Sequence, residues 1–81
     1  MTRDTAQKLQ RIYKYSKQLL EIAKLVHGLD PELYMSIIEY HNLVCVLIDN
    51  IEIYEDAELN EIITELDITL RSLVRRIQQE V

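Results

Sequence analysis

Apolar residues recur every three or four positions through three long segments of this chain, and the interruptions between them set the expected elements. In the first segment Leu9, Ile12, Tyr13, Ser16, Leu19, Leu20, Ala23 and Val26 form one stripe. Such spacings bring side chains to one side of an α-helix. They predict a helix over about residues 3–27, capped by Thr2 or Asp4 and stopped by Gly28. The second stripe reads Tyr34, Ile37, Ile38, His41, Val44, Cys45, Ile48 and Ile51, a helix over about 31–53. Its opening, GLDPEL, offers Asp30 as N-cap. Pro31 then falls at the first helical position, where its missing N–H costs nothing. The third stripe, Leu59, Ile62, Ile63, Leu66, Leu70, Leu73, Val74, Ile77 and Val81, predicts a helix over about 57–80. Asn60, Glu61, Thr64, Arg71, Ser72, Arg75 and Gln79 occupy its opposite side.

The second boundary carries no Gly or Pro, and the two stripes it separates are nearly in phase, so one helix of about 50 residues competes with two. Glu52, Glu55 and Asp56 decide it. They fall where the stripe would continue, and burying unpaired carboxylates is costly. The expectation is a turn near Tyr54–Asp56 with Asp56 as N-cap of the third helix. A strand reading of VCVLI or IEIY suits the β-branched residues but leaves a lone strand without a partner. The predicted fold is therefore all-α: one domain over residues 1–81, a three-helix up-down-up antiparallel bundle. At 81 residues the core is small, burying about 60–65% of the unfolded surface.

LVCVLI, residues 43–48, departs from the alternation. At about 100° per residue six apolar side chains surround the helix. Val44, Cys45 and Ile48 fall on the stripe, and Leu43 and Leu47 on a flank with Tyr40 and Tyr54. Val46 falls on the far side, in line with Met35 and Ile53. Helix 1 has a second set too: Tyr15, Ile22, Leu25 and Leu29. Both extra sets lie on the same rotational side of their stripes. In an antiparallel pair this predicts one shared face of Tyr15, Ile22, Leu25, Tyr40, Leu43 and Leu47, which a narrowly amphipathic third helix leaves uncovered. A contiguous exposed apolar patch marks an interaction surface, and a two-fold homodimer is its commonest use. The core is thus expected to be completed by dimerisation, with another protein as the second choice of partner. The competing account is that a central helix touches both neighbours, which widens its apolar arc.

Composition agrees with helices. There is one Gly, one Pro, no Trp or Phe and five Tyr, too few turn residues for an all-β fold. The polar start MTRDTAQKLQRIYK has no signal-peptide core, and the longest apolar run is far short of the ~20 residues that span a bilayer. The single cysteine, Cys45, forbids an intrachain disulfide. These features predict a cytoplasmic protein without a membrane partner. The net charge of −5 is unevenly distributed. Residues 1–28 carry six cations against Asp4 and Glu21, residues 29–70 carry eleven acids and no cation, and residues 71–81 carry three arginines against Glu80. In the predicted topology the start of helix 1 meets the acids of residues 49–61. Each exposed pair would contribute only about 0–1 kcal/mol.

Three sets of residues invite a chemical reading. His41 and Cys45, four apart, share a helical face as metal ligands or a thiol–base pair would. Zinc wants three or four ligands, however, and burial in an apolar run does not activate a thiol. Asp49, Glu52, Glu55, Glu58, Glu61 and Glu65 form an acid cluster of the kind that holds Mg²⁺-nucleotides, but its acids span a turn and face a basic helix. Lys8, Arg11, Lys14 and Lys17, with Tyr15, could meet phosphates, yet a sequence pI near 4.9 lacks the footprint of a nucleic-acid binder. There is no Gly-rich phosphate loop and no Ser–His–Asp set. The expectation is a small non-catalytic helical interaction protein without cofactor or metal: an adaptor, an inhibitor, or an antitoxin-like or chaperone-like regulator. The alternative is a small helical enzyme, or a nucleotide- or divalent-metal-binding protein that uses the Asp49–Glu65 acids.

Overall fold

A computed structural model describes residues 2–80 and contains three α-helices with no strand among them: α1 (Arg3–Leu25), α2 (Pro31–Asp49) and α3 (Asp56–Glu80). Val81, last in the predicted third stripe, lies outside the described residues. Thr2 caps α1 by accepting the Thr5 N–H on its hydroxyl at 3.2 Å. The helix ends at Leu25, two residues earlier than its stripe predicts. Val26 turns extended (φ −82°, ψ 118°) and packs its side chain against the core from the connection, and Gly28 reverses the chain at φ +75°. His27 is therefore a turn residue and not a helix terminus. Asp30 caps α2 through the Glu32 N–H, with Pro31 in the first turn.

α2 ends at Asp49, four residues before its predicted limit. The Asn50 N–H reaches the carbonyls of Val46 and Leu47, and its side-chain amide donates to the Val46 carbonyl at 2.8 Å. A 3₁₀ turn, Ile51–Ile53, follows. It keeps Ile51 and Tyr54 against the core although the α-helix has stopped. α3 opens on Asp56, with the Leu59 N–H on the Glu55 carbonyl at 2.9 Å. Asp56 is thus the first helical residue and not the N-cap. Its carboxylate and that of Glu58 still sit in the first turn, where the helix dipole favours negative charge.

One apolar cluster is shared by all three helices: Leu9, Ile12, Leu19 and Ala23 from α1, Leu33, Ile37, Tyr40, Val44 and Leu47 from α2, and Leu59, Ile63, Leu66, Leu70, Leu73 and Ile77 from α3. The stripes of α1 and α3 match their predicted phase. That of α2 does not. Its buried line is rotated toward Leu33, Tyr40 and Leu47, and the predicted Tyr34, Ile38, His41, Cys45 and Ile48 are only half-buried. α2 packs most extensively on α1 and least on α3.

Polar groups within this core are matched. Thr5, nearly fully buried, donates its hydroxyl to the Asn60 side-chain oxygen at 3.1 Å and so ties the start of α1 to the start of α3. Tyr40 donates its hydroxyl to the Leu66 carbonyl at 2.7 Å. Among the described residues no buried side-chain nitrogen or oxygen lacks a partner. The ion pairs between described residues, Lys8–Asp4 and Arg71–Asp67, run within single helices, not across the interhelical boundary where charge pairing was expected.

Candidate interaction surface

The six residues expected to form one exposed apolar face separate into three groups. Tyr40 and Leu47 belong to the core, each 5% exposed. Tyr15 and Ile22, half-exposed, line a groove between α1 and α3. Leu43 lines a shallow depression between α2 and α3 with Val46, Leu47, Tyr54, Ile62 and Leu66. Leu25, at the end of α1, is almost fully exposed and lines neither. The shared face fails because of the phase of α2. With Tyr40 and Leu47 turned inward, the extra apolar set of α1 opens on one side of α3 and that of α2 on the other.

The α1–α3 groove is the larger feature, with a cavity volume of about 990 Å³. Its floor is Ile12, Leu19, Ile63, Leu70 and Ile77, the outer edges of core side chains, and Tyr15, Ile22 and Val74 form its walls. Its rim is basic: Lys8 and Arg11 from α1 and Arg71 and Arg75 from α3, against the single carboxylate of Asp67. Asp67 is held by Arg71 at 3.1 Å, and Lys8 is held by Asp4 at 3.2 Å. Arg11 and Arg75 make no ion pair with a described residue. A region of net +3 therefore lies on a chain of net −5. The basic residues of α1 and the arginines of α3 are each visible in the sequence. Their convergence on one groove is not, because it depends on α1 and α3 being direct neighbours. The α2–α3 depression is small, about 200 Å³.

His41 and Cys45 come together with a third residue that the spacing alone does not suggest. Ser16 donates its hydroxyl to the Tyr13 carbonyl at 2.9 Å and lies 2.8 Å from His41 Nδ1. With the Ser16 proton committed to a carbonyl, its lone pair accepts from Nδ1–H. Nε2 is then left as the acceptor facing Cys45 Sγ at 3.6 Å. The His41 ring also lies 5.7 Å from that of Tyr13, tilted by 34°. Serine, histidine and cysteine thus form a relay that stitches α1 to α2, with the thiol as donor at its end. No group of three or more His, Cys, Asp or Glu side chains among the described residues is placed to hold a metal ion. Among them, too, no helix is long and apolar enough to cross a membrane.

Compared with known proteins, the chain matches no family model, no curated protein and no solved structure.

Proposed function

We propose that this chain is a small non-catalytic helical protein–protein interaction module, an adaptor, inhibitor, or antitoxin-like or chaperone-like regulator, that works through the groove between α1 and α3. In this reading its helices run up, down and up. The short connections 26–30 and 50–55 support that course, as does the Thr5–Asn60 bond between the starts of α1 and α3. The observation that carries the function is the groove itself, where the half-exposed Tyr15 and Ile22 and the partly buried Val74 are left beside the apolar core. The exposed Tyr15 and Ile22 beside a basic rim are the side chains a partner would cover.

A test is affinity capture with the intact chain beside Ile22→Asp and Leu43→Asp, with bound proteins identified by mass spectrometry and folding checked by circular dichroism. The expected result is that Ile22→Asp loses the bound proteins and Leu43→Asp keeps them. If Ile22→Asp retains them all, the groove is not the working surface.

A two-fold homodimer is the second reading. It is favoured by Met35, Leu43, Val46 and Ile53, which are all more than half-exposed on or just beyond α2. Sedimentation that shows a strict monomer at high concentration would remove it.

A further inference from the structure

We infer that the α1–α3 groove receives one amphipathic helix of a different, acidic protein, which completes a four-helix bundle. The inference rests on the interaction-module reading and names the chemistry of its partner. Three observations select this occupant.

The first is shape. Lining residues on α1 run from Lys8 to Ile22, which at 1.5 Å per residue is about 21 Å, or four helical turns. The apolar floor repeats at helical spacing along both walls: Ile12, Tyr15, Leu19 and Ile22 on α1, and Ile63, Leu70, Val74 and Ile77 on α3. A third helix that presents apolar residues at i, i+3, i+4 and i+7 fits between two such walls.

The second is charge. Lys8 and Arg11 border one wall and Arg71 and Arg75 the other, so a bound helix has cations on both flanks, with Asp4 and Asp67 already paired to Lys8 and Arg71. Acidic residues flanking the apolar stripe of the incoming helix meet this rim. Tyr15 and the arginines are also the residue types that most often anchor protein interfaces.

The third excludes a symmetric pair of copies joined groove to groove. Groove against groove brings +3 onto +3. The acidic stretch around the start of α3 in another copy, Glu55 to Glu65, offers no free apolar stripe, because its Leu59 and Ile63 are buried in their own core, and insertion of another copy's α2 side, with Met35, Leu43 and Val46, is the outcome that the self-association test below reads. A nucleic acid would use the cations but leave the half-exposed Ile22 without an apolar partner.

Two synthetic peptides of about four turns, identical in their leucine stripe and flanked by Glu in one and Lys in the other, test this against the intact chain. The readouts are fluorescence anisotropy and amide NMR shifts. The Glu peptide is expected to bind roughly tenfold or more tightly than the Lys peptide at low salt, since several rim pairs add to that ratio. Shifts should centre on Ile12–Ile22 and Thr64–Arg75. An Arg11→Glu, Arg75→Glu double variant, both residues being exposed, should keep its helicity and invert the preference.

Equal affinity for both peptides, with both lost in Ile22→Asp, would overturn the acidic partner while the module reading stands. Shifts confined to α2, or no binding of either peptide, would overturn the inference whatever the capture experiment shows. So would self-association abolished by Ile22→Asp. Vesicles of anionic phospholipid that outcompete the Glu peptide would overturn it as well, in favour of a lipid ligand.

Discussion

Tyr40 shows how one side chain fixes the phase of a helix. Its ring is in the core, and its hydroxyl donates to the Leu66 carbonyl on the neighbouring helix. Burial, and secondarily the nearby Asp67 carboxylate, raise its pKa above the ordinary value of about 10. The folded phenol therefore holds its proton where the unfolded chain releases it. This contribution to stability is full below about pH 10 and is lost as pH rises beyond that value. Tyr40→Phe should cost about 0.5–1.5 kcal/mol at neutral pH by removing the hydrogen bond. Urea unfolding between about pH 8 and 11 should show the wild type losing more stability than the variant. Parallel pH curves would place the titrating phenol elsewhere. Ser16→Ala makes a second test, because it removes the acceptor of the His41 Nδ1 proton in a nearly sealed site. A loss of about 1 kcal/mol is expected by chemical denaturation, together with a changed imidazole NMR signal. Neither role was legible in the sequence. The apolar pattern puts Tyr40 on a flank because half the neighbouring positions of α2 are apolar, so several stripes fit equally well. Its hydrogen-bond acceptor is a backbone carbonyl twenty-six residues away, which periodicity does not report.

The elements were more readable than their ends. Three helices follow from spacings of three and four, and the Asp30–Pro31 start of α2 follows from capping chemistry. The apolar spacing overruns the end of α2 because the 3₁₀ turn keeps Ile51 against the core after the α-helical bonding has stopped. Asn50, which ends the helix with its own side chain, is a weaker written signal than a glycine. The first connection carries the stronger signal. Gly28 stands at φ +75° with no atom within 4 Å of an added Cβ, so substitution there is opposed by backbone strain alone. Gly28→Ala should destabilise the fold by about 1–2 kcal/mol, read as a shifted urea midpoint with an unchanged slope. A neutral result would mean that the connection adapts without cost.

At the scale of the whole molecule, the three helices fill an elongated body of 41 × 19 × 16 Å around a single core, and what remains outside that core defines the working surfaces. Two leucines one helical turn apart separate the two. Leu43 is 58% exposed and Leu47 is 5% exposed, although both fall on the same flank of the sequence pattern and both were expected at one interface. Leu47→Asp buries a carboxylate among apolar side chains and removes a core leucine, a loss on the order of 3–5 kcal/mol. For a domain of this size, with about 0.05–0.15 kcal/mol of stability per residue, that is a large share of the total. Leu43→Asp changes a side chain already in water and should move stability by no more than about 0.5 kcal/mol. Circular dichroism melts should therefore show Leu47→Asp with a strongly lowered melting temperature and Leu43→Asp close to the wild type. If sedimentation of Leu43→Asp also shows a smaller species than the wild type, the outer side of α2 joins copies of the chain. If both variants melt like the wild type, α2 is phased as its sequence stripe implies, with Leu47 outside the core.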